Sequence, residues 1–514
     1  MSSSPIRGTR ADGHDYLPDV LSRGALAVVV EHWPKELDDR FTTRANVIVV
    51  RHTRRALAKL AANFHGHPSK DLILAGVTGT NGKTTVTYLL QAILEAAGKN
   101  VGRIGTTGAT YRGERLDTVH TTPDALELQS MLTAMRDASV SHVVMEVSSH
   151  ALSQARVSNV HFKVAGFTNL SRDHLDYHGT MDEYFAAKAL LFTEVLAHSE
   201  ARGRMAVINI DDEHGKRLAE LWDGKTFRVS ARGDASADLF VVEAEHGMDG
   251  TRAVVRDRKG EWSFSTPLIG PHNLENVLVA VGMAQAMGFS NPRIEAGIAA
   301  VTHVPGRLLR VQTDDERVVF VDYAHTPDAL DAVLSGLAPL TKGRLIVVFG
   351  CGGDRDRGKR PEMGRVVARS ATLAVLTSDN PRSEDPGAIA DEVKAGFLEV
   401  NYPRAELDGS TSGWVVELDR RTAIRLAVSW LEPNDVLVIA GKGHETRQII
   451  GNEALPFDDV EETRRILAGL PPPPPMTSGH ALPVVAASEI FDSVDVNPDI
   501  VKEDAADPPE GTTE

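Results

Sequence analysis

Residues 78–85 read Thr-Gly-Thr-Asn-Gly-Lys-Thr-Thr, between an apolar run at 72–77 and a helical spacing of apolar residues at 86–98. A glycine-rich turn ahead of a helix N-terminus gathers backbone N–H groups into a concave anion site. A lysine there reaches β- and γ-phosphates, and the hydroxyl that follows it ligates Mg²⁺. On that reading Gly79, Thr80, Asn81, Gly82, Lys83, Thr84 and Thr85 hold ATP, with Lys83 at the transferring phosphate and Thr84 on the metal. The strict P-loop spacing asks for glycine five residues before Gly82, where this chain has Val77. A plain strand-to-helix turn is the bland alternative, and the two glycines, the lysine and the threonines in one context weigh against it. Glu146 ends the apolar run 141–147. An acid at the C-terminal edge of a strand suits Mg²⁺, or simply caps a turn.

Strands and helices must present these groups. Apolar runs at 72–77, 141–147, 163–170 and 205–211 alternate with helical stretches, and after residue 303 the pattern resumes at 317–323, 344–350, 372–379 and 435–443. Such alternation predicts parallel sheets flanked by helices, an α/β chain. Val86, Leu89, Leu90, Ile93 and Ala97 give the helix behind the loop, with Gly98 as its C′ residue. Pro-Gly punctuation within 301–311 marks a junction. The expected division is a short α/β piece at 1–66, a central domain at 67–303, a second at 304–470 and an acidic, disordered tail at 471–514.

At 514 residues the chain exceeds a single core. Its net charge is −16, but the tail holds nine acids against one base, half of that charge. The mildly acidic body argues against nucleic acid as a partner. No apolar run approaches the roughly 20 residues of a membrane span, and the first residues lack a signal-peptide core. One cysteine, Cys351, fits a reducing cytoplasm.

The loop with its lead-in resembles that of the Mur ligases and folylpolyglutamate synthetases, ATP-dependent enzymes that join an amine to a carboxylate. The likeness extends over about residues 6–466. It implies that His174 and Lys188, in the segment 169–192, ligate a second Mg²⁺, the lysine as a carbamate; alone, Lys188 reads as a solvated helix lysine. It also implies that Asn273 and Asn276 lie near the adenine, Arg307 at the phosphates and Asp322 at the ribose, so that ATP sits between domains. The segments 121–128 and 146–156 resemble the Mur ligase contacts to a UDP-N-acetylmuramoyl-L-alanyl-D-glutamate substrate, which assigns Thr121, Thr122, Ser148, Gln154 and Arg156 to it. Asp379-Asn380-Pro381-Arg382 is the form associated with meso-diaminopimelate as the incoming amine, with Arg355 and Arg382 on its extra carboxylate and Gly441 and Glu445 at its amino-acid head. The catalytic set the resemblance implies is Lys83, Glu146, His174 and Lys188, in a monomer. No general base for the amine stands out.

The first domain departs from the family. Residues 6–31 resemble the middle of its uridine-nucleotide domain, so either the start codon lies upstream, which is the expectation, or the chain binds UDP weakly. Two other readings compete: a folylpolyglutamate synthetase, against which the motifs at 355, 379–382 and 441–445 speak, and a nucleotide-binding scaffold that binds ATP without turnover.

Overall fold

The computed structural model describes residues 2–3, 12–33, 45–313 and 317–471; the tail expected to be disordered falls outside these from residue 472 onward. Every apolar run named above forms a strand. The largest sheet has eleven, and the strand Ile73–Thr78 that feeds the glycine loop lies inside it, paired in parallel with His142–Glu146 on one side and Phe162–Phe167 on the other. Val77 aligns with both Glu146 and Gly166, so the ends of three strands open at one edge. That edge of a parallel sheet is where ligands bind.

The sheet is not wholly parallel. Beyond Thr226–Ser230 it continues through Leu239–Gly247, Gly250–Asp257 and Gly260–Thr266, successive antiparallel strands, and its opposite end adds Gly108–Tyr111 and Glu114–Leu116. Tight turns account for this. Arg112 and Gly113 both carry positive φ, 49° and 82°, as a two-residue hairpin turn requires.

The helix Lys83–Ala96 buries Val86, Leu89, Leu90 and Ile93. It ends with Gly98 at φ 77°, whose N–H reaches Glu95 O at 2.8 Å while Lys99 N reaches Leu94 O at 3.0 Å, a Schellman closure. A second sheet of six strands carries Val318–Asp322, Leu345–Phe349, Leu373–Leu376 and Val436–Ala440, all parallel, with Leu309–Val311 antiparallel at one edge. A small three-stranded parallel sheet of Ser2–Ser3, Ala27–Val30 and Asn46–Val49 packs Val28 and Val30 on Leu17 and Leu21.

Arg420 ties the second sheet's site loops together. Its guanidinium and Asp459 are fully buried and paired at 2.8 and 2.7 Å, and it also donates to Ala440 O at 3.0 Å and Ser378 O at 3.4 Å. Arg420→Met strands the Asp459 carboxylate in the core, which costs about 3–5 kcal/mol. A denaturant titration should show the midpoint falling accordingly.

Candidate active site

The loop at 79–82 requires its glycines. Gly79 has φ 149° and Gly82 φ 89°, and a Cβ on either would lie 1.9 Å from Thr168 Oγ1 or Asn276 Oδ1 respectively. Gly82→Ala is therefore expected to weaken ADP binding at least tenfold in calorimetry, through strain of about 1–3 kcal/mol plus the displaced Asn276. The loop is pinned from the next strand's end: Asn81 N donates to Asn169 Oδ1 at 2.9 Å, and Thr168 Oγ1 donates to Asn81 O at 2.6 Å.

Lys83 folds back over its own loop, donating to Gly79 O at 2.9 Å and Thr80 O at 2.8 Å. Burial depresses its pKa, against the pull of Glu146 and Asp173. Thr84 Oγ1 donates to Glu146 Oε1 at 3.0 Å, and Thr106 N and Oγ1 hold the same carboxylate at 3.0 Å each.

The helix Met181–Leu190 starts in a capping box, Thr180 with Glu183, and runs on into a π-helical turn at Leu191–Leu196. Tyr184 and Lys188, four residues apart, share the face toward the loop. Tyr184 OH lies 3.3 Å from Thr80 Oγ1, and Lys188 Nζ, fully buried, donates to Gly79 O at 2.7 Å and sits 4.4 Å from the Tyr184 ring. Burial first, then the neighbouring Lys83, holds the Lys188 ammonium well below its ordinary pKa. His174, at φ 56°, puts Nε2 3.2 Å from Asp173 Oδ2, and burial lowers its pKa to about 3.

The second sheet reaches in through Val304-Pro305-Gly306-Arg307. Proline then glycine at φ 65° makes a type II turn, closed by Arg307 N to Val304 O at 3.0 Å. It delivers Arg307 Nη2 to Thr84 Oγ1 at 3.1 Å, over the Tyr323 ring. Asp322 fixes the turn, accepting from Leu308 N at 2.6 Å and Ala324 N at 2.7 Å. A second link joins the sheets nearby: Arg172 forks onto Asp356, at 2.9 and 3.3 Å, and onto Glu362 at 3.2 Å.

A cavity of about 710 Å³ opens between the two sheets, walled by residues 80–85, Thr121, Glu146, Ser148, His174, Asn273, Asn276, Arg307 and Asp322. Asn273 is anchored by Ile269 O at 2.9 Å and Asn276 by Asn273 Oδ1 at 3.4 Å. Thr122, Gln154 and Arg156 stand behind the wall. Thr122 Oγ1 bonds Glu146 O at 2.9 Å, and Arg156 donates to Thr122 O at 2.8 Å and to Gln154 Oε1 at 2.7 Å.

Asp379, Asn380, Arg382, Gly441 and Glu445 form a separate cluster on the second sheet. Asn380 Nδ2 donates to Glu445 Oε2 at 2.9 Å, and the buried Lys442 holds the same oxygen at 3.0 Å. These contacts keep Glu445 ionised against its burial. Gly441, at φ 116°, would set a Cβ 3.2 Å from Asp379 Oδ2. Asp379 Oδ1 is buried without a hydrogen bond, and burial raises its pKa. Pro381 O accepts from Glu384 N at 3.1 Å, closing the turn. Arg382, at φ 51°, donates to Gly353 O at 2.7 Å and pairs with no carboxylate among the described residues. Burial, then repulsion from the exposed Arg355, lowers its pKa. A carboxylate bound beside the two guanidiniums would relieve that repulsion.

Sequence reasoning passed over Asn169, Thr106, Tyr184 and Lys442. Asn169 and Tyr184 lie inside the 169–192 segment and Lys442 inside 440–445, so proximity to those motifs was the available signal; Thr106 had none.

Two family models match: the Mur ligase middle domain over residues 77–284 and the Mur ligase glutamate ligase domain over 306–443. The chain is 44% identical over 463 residues to a UDP-N-acetylmuramoyl-L-alanyl-D-glutamate–2,6-diaminopimelate ligase of Geobacter metallireducens, covering 89% of each. It is 43% identical over 462 residues to one of Nostoc sp., covering 90% of each. A solved structure of a ligase with that same name aligns at a TM-score of 0.61 and 34% identity over 89% of each chain. Mycobacterium tuberculosis folylpolyglutamate synthase complexed with ADP shares the fold, at TM-score 0.61 and 21% identity over 75% of this chain and 91% of that one.

Proposed function

The chain belongs to the Mur ligase family, and from that premise we propose that it adds meso-diaminopimelate to the D-Glu γ-carboxylate of UDP-N-acetylmuramoyl-L-alanyl-D-glutamate, at the expense of ATP, in peptidoglycan precursor synthesis. The observation that carries the choice of amine is the Arg355–Arg382 pair, cationic, adjacent and without a carboxylate partner among the described residues. Diaminopimelate is lysine with one further carboxylate, and that group answers the pair.

The γ-carboxylate attacks the γ-phosphate, giving an acyl-phosphate and ADP; the amine then attacks the acyl carbon and phosphate leaves. Lys83 exchanges its loop carbonyls for phosphate oxygens, and Arg307 adds a second cation from across the cavity. Thr84 and Glu146 fit Mg²⁺, which takes one or two carboxylates plus phosphate oxygens, and would hold one ion; His174 on the cavity wall, with Lys188 buried beneath the loop at Gly79 O, would hold a second once the lysine is a carbamate. When bound, such ions neutralise charge on the transferring phosphoryl group. Burial, which lowers the Lys188 pKa, favours the neutral amine, the form that adds CO₂ to become a carbamate. Asn273, Asn276 and Asp322 would meet the nucleoside, while Thr121 and Ser148 would meet the dipeptide end, backed by Thr122, Gln154 and Arg156. Asp379, Asn380, Gly441 and Glu445 meet the amino-acid head.

We assign residues 67–303 to the nucleotide, 304–470 to the amine and 1–66 to the uridine end. No described helix is long and apolar enough to cross a membrane, and a lone cysteine suits the cytoplasm. The test is product release with the UDP-dipeptide and either diaminopimelate or lysine. ADP and phosphate, with diaminopimelate strongly preferred, are expected; AMP and pyrophosphate, or indifference to the amine, would overturn the reading.

A further inference from the structure

An incoming amine arrives as an ammonium and must shed a proton before it can attack. His325 is placed to receive it. Its Nδ1 lies 2.7 Å from Tyr323 O. A carbonyl only accepts, so Nδ1 carries the hydrogen and Nε2 keeps the lone pair. The side chain is 31% exposed, and it lines the cavity with Lys83, Thr84 and Asp173. Nε2 lies 4.0 Å from Asp173 Oδ2, close enough for that carboxylate to steady an imidazolium.

The surroundings of the ring place it between the two halves of the site. Asp173, on the phosphate side, also acts on Lys83 and Lys188. On the amine side Asp379 and Glu445 lie near enough to attract a protonated His325. The charged groups facing the ring are Asp173, Asp379, Glu445 and Lys359, with the Tyr323 ring edge-on at 4.5 Å. Burial and Lys359 prevail over the acids, so the imidazole stays neutral at physiological pH. Other candidates are committed. Glu445 Oε2 is held by Lys442 and Asn380, and the Tyr323 hydroxyl is pushed well above its ordinary range by burial.

We propose that His325 Nε2 is the general base that takes a proton from the ammonium of the incoming amino acid. An N–H bond of the ammonium breaks and its proton passes to Nε2. The freed nitrogen pair forms the C–N bond, and the C–O bond to phosphorus breaks with its electrons leaving on phosphate. The second amine proton departs with that phosphate, and His325 returns its own to water through the cavity.

This inference rests on the ligase reading, and hydroxylamine separates the two. As an amine already unprotonated at neutral pH, it captures an acyl-phosphate without a base. In H325Q, amide formation with diaminopimelate should fall about 100-fold or more, while ATP-dependent hydroxamate formation from the UDP-dipeptide stays within about threefold. The acid limb of the wild-type pH profile of kcat/KM for diaminopimelate should vanish in H325Q, and free imidazole should restore part of the rate in H325A. Equal losses with both amines, together with a lowered Tm, would make His325 merely structural and overturn the inference, as would an unchanged acid limb. If the wild type forms neither amide nor hydroxamate, the ligase reading itself fails.

Discussion

Replacing Arg382 with alanine is expected to lower kcat/KM for meso-diaminopimelate about 10³-fold and to leave the slow reaction with L-lysine within a factor of about three. The first figure corresponds to about 4 kcal/mol, the worth of two charge-assisted hydrogen bonds to one carboxylate. The guanidinium is half-buried and already donates to Gly353 O at 2.7 Å, so its plane is set before any ligand arrives. Lysine lacks the second carboxylate and has nothing to lose. Arg382→Lys should recover only part of the preference, because an ammonium cannot fork. Arg355, exposed and its guanidinium held by Asp354 O at 2.9 Å, supplies the residual discrimination. Initial rates with both amines at saturating nucleotide and UDP-dipeptide decide it; equal losses with the two amines would remove Arg382 from the specificity site.

Lys188→Met should abolish turnover, by 10³-fold or more on the scale of losing a charge-stabilising group beside the transferring phosphoryl, yet leave the protein at least as stable at neutral pH. The sign follows from linkage. A lysine with folded pKa far below its unfolded value binds fewer protons when folded, so stability rises as pH climbs toward the unfolded pKa and is lowest below the folded one. An uncharged side chain of similar length removes that penalty, at the cost of one hydrogen bond to Gly79 O. The melting temperature of the wild type should therefore rise between neutral and mildly alkaline pH more than that of the variant. Wild-type protein stripped of CO₂ should lose rate and regain it with bicarbonate; no response to bicarbonate would dismiss the carbamate.

Legibility in the sequence tracked locality. Gly79, Gly82 and Lys83 sit within five residues of one another, and their demands are written in residue type, so the turn was readable before any coordinates. The apolar runs around it became strands for the same reason, since a buried parallel strand is a short uninterrupted stretch of chain. The antiparallel extensions at 239–266 were harder. In Gly250–Asp257, Thr251, Ala253 and Val255 point inward between exposed arginines, a pattern that polar surface loops imitate. Nothing local tells that Tyr184 meets Thr80, or that Glu146 meets Thr84, because each pair is brought together by strand order. Arg382 was identifiable only through the family likeness; its left-handed backbone and the missing carboxylate are facts of packing.

Arg172 bridges the two sheets. It precedes Asp173 and His174 on the phosphate side, and its partner Asp356 follows Arg355 on the amine side. Whichever ligand settles first stiffens this clasp and lowers the entropic cost of seating the other, so each substrate should bind more tightly once its partner is seated, by the same factor in either order. Since Arg172 is 37% exposed, that cooperation should fade as ionic strength rises.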